Sequence, residues 1–258
     1  MRADTKRVSS AQLTEVRHIM GMPIGIDVRD ANRAGVGAAF DWLREVDAIF
    51  STYRDDSDIS RLDRGELTLA DCHPEVDEIL TRCVSLQRDT GGFFSVRAGG
   101  RLDPSGFVKG WAVAGAAERL AAAGAENFCI NAGGDVVTRG RPGADRLWHV
   151  GIRHPIDLER LAAVVAVEDL AVATSGEYER GAHIFDPHTG RPPTGLLSVT
   201  VVGPDLATAD AYATAAFAMG ADGPAWTTGL TDYDAMCITI EHRVVSTPGF
   251  ARHRVVSR

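Results

Sequence analysis

The chain has 258 residues, a formal net charge of −8 and 45% hydrophobic residues, enough for a sizeable core in one large domain or two small ones. An acidic balance with a pI near 5.5 argues against broad binding to nucleic acid or anionic membranes, which needs basic patches. Twenty-seven glycines and only 7% aromatic residues fit a loop-rich, alternating enzyme domain better than a helical bundle. Cys72, Cys83, Cys129 and Cys237 are scattered and form no CxxC pair, which speaks for reduced thiols rather than a zinc site or disulfide framework. The polar start, MRADTKRVSSAQLTEVRHIMG, has no apolar signal-peptide core, and no window approaches the roughly 18 apolar residues of a membrane span. A cytoplasmic location with no membrane span is the expectation.

Residues 13–19 and 22–28 alternate apolar and polar side chains around Gly21 and Pro23, predicting a short strand pair. From about Ala31 to Phe50 the spacing turns helical, with Val36, Ala39, Phe40, Leu43, Val46 and Ile49 on one face. The polar run STYRDDSDISRLDRGE is expected as an ordered loop. A second helix is expected near Pro74–Asp89, before Gly91-Gly92, and a third near Val108–Ala123, closed by Gly124 as a left-handed cap. NFCIN reads as a strand, and AGGD as a turn that only glycines make without strain.

Strands then dominate from Val136 to about Val202: VVTRG, LWHVGIR, LAAVVAV, LAVAT, AHIF and LSVTVV. Helices are expected near Thr208–Met219 and Asp222–Leu230, and a terminal hairpin of AMCITI with HRVVS. Runs of strands with clustered helices indicate an α+β fold, with mixed, largely antiparallel sheets flanked by helices, in a single domain over 1–258.

Several residues could carry chemistry. Asp210 and Thr214 lie four apart, one turn along a helix face, and both offer hard oxygens of the kind Mg²⁺ prefers. The same pair would also serve as a dipole-complementing Asp and a buried Thr bonded to the preceding turn. His183, in GAHIFDPHTG, suits a general base or a phosphate contact, or a satisfied structural role. DPSGFVKGW sets Asp103, a Ser-Gly turn and Lys109 at a helix start, where backbone N–H groups bind anions. The alternative there is a plain helix start with a solvated lysine. NAGGD lacks the GxGxxG pattern and reads as a tight hairpin or as a close backbone approach to a ligand. Tyr53 could stack on an aromatic ring, or anchor its loop half-buried.

Taken in order, FSTYRDDSDISRLD, DPSGFVKGWAV, NFCINAGGDV, WHVGIRHP, AVATSGEYERGAHIFDPHTGRP and SVTVVGPDLATADAYATAAFAMG resemble the ApbE family of FAD:protein FMN transferases. The resemblance runs from about Met20 to Gly220 and implies an ApbE-like, T-fold-like architecture. It implies Mg²⁺-dependent protein flavinylation: FAD is split, FMN passes through a phosphoester to a Thr or Ser of a target protein, and AMP is released. The implied acceptor carries an Asp-Gly-Ala-Thr-like segment. The family pattern assigns metal ligation to Asp210, Thr214 and the Gly106 carbonyl. It makes His183 the catalytic base, with Asp210 counted beside it as catalytic. Met20 and Tyr53 would border the flavin, Phe93, Phe94 and Ser95 would shape its pocket, and Asp103 and Lys109 would contact FAD.

The chain departs from the pattern at Met22-Pro23, where the family has a Thr after Met-Gly, at Ser95 in place of an Asp, and at Ala213 before the metal Thr. The segment between Ser95 and Asp103 is also short. Alternatives from the same motifs are an FAD pyrophosphatase yielding FMN and AMP, and a non-catalytic flavin-binding protein.

Overall fold

A computed structural model describes residues 13–30, 33–98, 100–176 and 184–255. Eight antiparallel strands form one sheet in the order β1-β2-β3-β4-β7-β8-β9-β10. They are β1 (Leu13–Ile19), β2 (Met22–Val28), β3 (Phe128–Ala132), β4 (Asp135–Arg139), β7 (Ala171–Gly176), β8 (Leu196–Gly203), β9 (Asp234–Thr239) and β10 (Val244–Ser246). A separate hairpin joins β5 (Trp148–Arg153) to β6 (Leu161–Val167).

The period-2 pattern sorts side chains between two layers. On β2, Met22, Ile24, Ile26 and Val28 all join one core, and the intervening residues do not. β8 and β9 are buried on both faces, as expected for central strands covered from both sides. Their Val199, Val201, Ala235 and Cys237 enter the larger core, under the helices. Val202, Met236 and Ile238 instead meet Trp148, Val150, Ile152 and Val165 of the β5–β6 hairpin.

The helical layer is built from α1 (Arg33–Phe50), α4 (Ser105–Ala122) and α5 (Leu206–Ala218), with α4 packed between α1 and α5. Glycine sets how closely these helices approach. A Cβ on Gly115 would lie 2.6 Å from the Trp42 ring of α1, whose Nε1–H donates to the Ala112 carbonyl at 2.9 Å. A Cβ on Gly110 would lie 2.7 Å from Ala207 Cα, so α4 and α5 touch backbone to backbone there. α5 is alanine-rich and buried nearly all round, the composition of a helix enclosed on every side. Its start is fixed by Asp205, which accepts the Thr208 N–H at 2.8 Å.

Most sequence expectations hold, including α3 (Pro74–Asp89) at its full span and Gly124 in the left-handed region at φ 89°. Three differ. The polar STYRDDSDISRLDRGE run holds a short helix, α2 (Asp58–Asp63), because Ser57 caps it by accepting the Ser60 N–H at 3.1 Å. The helix expected over Asp222–Leu230 contracts to α6 (Gly223–Thr227). The expected AHIF strand does not reach Ile184 or Phe185, and its first two residues lie outside the described residues. Among the described residues, no helix is long and apolar enough to cross a membrane.

Candidate active site

A cavity of about 670 Å³ opens where the Met20-Gly21 turn, the 50–54 segment, the 93–103 segment, the start of α4, the end of β7 and one face of α5 converge. All the described residues singled out from the sequence line it: Met20, Tyr53, Phe93, Phe94, Ser95, Asp103, Gly106, Lys109, Asp210 and Thr214. His183 lies outside the described residues, although Ile184 and Phe185 beside it also line the cavity.

Asp210 is 2% exposed, and the helix spacing sets Thr214 one turn beyond it. Close approach of α4 brings Gly106 to the same place, where a Cβ would lie 3.6 Å from Thr214 Oγ1. Ser175, buried at the end of β7, shares a hydrogen bond with that hydroxyl at 3.3 Å. A carboxylate, two hydroxyls and a backbone segment therefore meet in one corner. All are hard oxygen donors, the set that suits Mg²⁺ and not soft thiolate-seeking metals. Among the described residues no group of three His, Cys, Asp or Glu offers a rival metal centre. Ala213 is fully buried in the apolar core, so the residue before Thr214 faces away from donor duty.

Charge in this corner is unusually dense. Lys109, on α4, places Nζ 2.6 Å from Asp135 Oδ2 and 3.6 Å from Asp210 Oδ2. Its side chain is 16% exposed, so the solvated lysine at a helix start is corrected: burial among carboxylates replaces water as its partner. Asp135 opens β4 directly after the Gly133-Gly134 turn, whose φ values of 57° and 96° confirm the tight AGGD hairpin. Two carboxylates sharing one ammonium leave a negative floor that favours a divalent cation.

The walls are of other chemistry. Met20, Phe50, Phe93 and Phe94 present apolar surface, and Phe93 meets the His188 ring edge-on at 4.6 Å. Asp186 holds that ring's loop by accepting the His188 N–H at 2.9 Å and the Thr189 hydroxyl at 2.8 Å. Tyr53 is 95% exposed at the rim, so the half-buried anchor is corrected. Among the described residues nothing packs over it, which leaves the ring face accessible to a planar partner. Asp103 accepts the Ser105 N–H at 2.9 Å and so orders the first turn of α4. Arg54 and Arg101 add positive charge near the mouth, and Arg101 is braced by Asp63 at 3.5 Å. Burial pushes the Asp47 carboxyl up, with Arg54 opposing.

Sequence reasoning did not single out Asp135, Ser175, Asp47 or Arg101. Only Asp135 carried a signal, as the acidic residue ending a glycine turn read as a tight hairpin or as a close backbone approach to a ligand.

An eight-stranded antiparallel sheet backed by close-packed helices, with an oxygen-lined acidic corner inside an aromatic-walled cleft, defines an α+β protein with one well-formed candidate site. A model of the ApbE family matches residues 20–101 and 96–237. The chain belongs to the ApbE family. It is 35% identical over 129 residues to the FAD:protein FMN transferase of Vibrio cholerae serotype O1, covering 46% of this chain and 39% of that protein. It is 40% identical over 123 residues to the protein of the same name from Rhodobacter capsulatus, covering 45% and 23%. These matches span well under half the length of the curated relatives. The solved flavin transferase ApbE from Vibrio cholerae superposes with a TM-score of 0.81 over 94% of this chain and 99% of that one. At 23% identity that likeness is one of fold.

Proposed function

We propose that this chain, as a single domain, is a Mg²⁺-dependent FAD:protein FMN transferase. The observation that carries the reading is the oxygen-rich corner of buried Asp210 and Ser175 with half-buried Thr214 and Gly106, on the floor of an aromatic-walled cleft. Asp210 and Thr214, with the Gly106 backbone, would hold Mg²⁺, which supplies charge neutralisation at the diphosphate of FAD. Met20, Phe93, Phe94 and Tyr53 would grip the flavin ring, with Ser95 at its side. Lys109 would supply a positive charge near the diphosphate, and Asp103 orders the helix start on that side of the cleft.

The acceptor Thr or Ser oxygen attacks the FMN phosphorus. Its proton passes to His183, the bond to the AMP phosphate oxygen breaks, and AMP leaves. The cleft's contribution is positioning and preset electrostatics. The acceptor is a protein bearing an Asp-Gly-Ala-Thr-like segment.

Incubation of the chain with FAD, Mg²⁺ and a peptide of that type, followed by mass spectrometry, is expected to show one added FMN. An unmodified peptide, with FAD converted to FMN and AMP in its absence, would replace the transferase reading with a pyrophosphatase. Retention of intact FAD under all these conditions would leave a flavin-binding protein.

A further inference from the structure

We propose that Asp135 is a positioning residue that draws the shared Lys109 ammonium into the shorter of its two carboxylate contacts, so that a divalent cation meets less competition at Asp210. The inference rests on the metal reading above. Three elements meet here: β4 brings Asp135, α4 brings Lys109 and α5 brings Asp210. Asp135 is 1% exposed, and its Oδ1 accepts the Thr174 N–H of β7 at 3.0 Å. The sheet backbone therefore fixes this carboxylate. Its Oδ2 draws Nζ to 2.6 Å, against 3.6 Å for Asp210 Oδ2.

That asymmetry has a consequence for the metal corner. A lysine head sits on a flexible four-carbon stem and moves to the nearest anion. With Asp135 neutral, the ammonium closes on Asp210 and competes with the cation for the same oxygens. Coulomb energy scales with inverse distance, and closing a gap of this size in a partly buried site corresponds to roughly tenfold in binding.

The test is Mn²⁺ titration of the full chain without nucleotide, reading free Mn²⁺ by electron paramagnetic resonance, with urea midpoints as a check on folding. Asp135→Asn is expected to bind Mn²⁺ about tenfold more weakly than wild type. Asp135→Asn combined with Lys109→Met should return to within about threefold of wild type, because the competing ammonium is gone. A purely structural role for Asp135 would not be rescued by a second buried substitution. Unchanged Mn²⁺ binding in Asp135→Asn, or no recovery in the double variant, overturns the inference while leaving the metal site standing. Absence of Mn²⁺ binding in the wild type overturns the metal reading itself, and this inference with it.

Discussion

Asp210 and Asp234 are buried aspartates on opposite sides of the same sheet, and their surroundings could hardly differ more. On the hairpin side, Asp234 receives the Thr247 hydroxyl at 3.1 Å, the Arg252 guanidinium at 2.8 Å and His253 Nε2 at 3.0 Å. Those donors tie the 3₁₀ turn Pro248–Arg252 and His253 to β9. On the helix side, Asp210 faces an ammonium already drawn to Asp135, with hydroxyls of Thr214 and Ser175 nearby. A buried carboxylate supplied with donors from its own chain is structural glue. Asp210 instead shares one ammonium with a second carboxylate at the floor of a cleft, a setting that fits the cation-holding role proposed above.

Substitutions on the two sides should separate accordingly. Asp210→Asn is expected to lower FMN transfer by about 1,000-fold, the scale of losing a preset electrostatic contact, with little change in urea midpoint. A large fall in stability would mean that Asp210 is glue after all. Gly110→Val drives a branched side chain into the Ala207 backbone and should cost about 3 kcal/mol in urea unfolding, with the cleft damaged in parallel. Val165→Ala, in the hairpin core, should cost about 2 kcal/mol yet leave transfer per folded molecule unchanged.

The mildest test uses acid. Burial would raise the Asp234 carboxyl, but hydrogen bonds from Arg252, His253 and Thr247 outweigh it and hold the group below the usual range. With the folded value depressed, its stabilisation is complete above the unfolded value of about 3.9 and fades as pH falls through the folded value. Asp234→Asn should therefore lose about 1.5 kcal/mol at neutral pH and show a flatter stability curve below about pH 4.

Much of this was legible in the sequence because it depends on local rules. Helical spacing put Asp210 and Thr214 on one face, alternation outlined β1 and β2, and the AGGD glycines announced the β3–β4 turn. What escaped depends on elements distant in the chain. Ser175 sits 39 residues from Thr214 and joins it only because β7 packs against α5. Lys109 looked solvated because nothing near it in sequence announces Asp135. The small helix α2 was hidden by its polar composition, since a single Ser57 cap and not an apolar stripe defines its start.

The two-residue loop joining β1 to β2 has a further implication for how this protein could be improved or degraded. Met20 and Gly21 adopt φ values of 56° and 72°, the mirror-image turn that favours Asn-Gly. A methionine held left-handed costs on the order of 1 kcal/mol relative to the preferred residue, yet Met20 lines the cleft. Position 20 thus sets heat resistance against the apolar lining of the cleft. Selection for thermal survival alone would favour Asn here, gaining roughly 2–4 °C in Tm and surrendering part of the cleft's apolar wall.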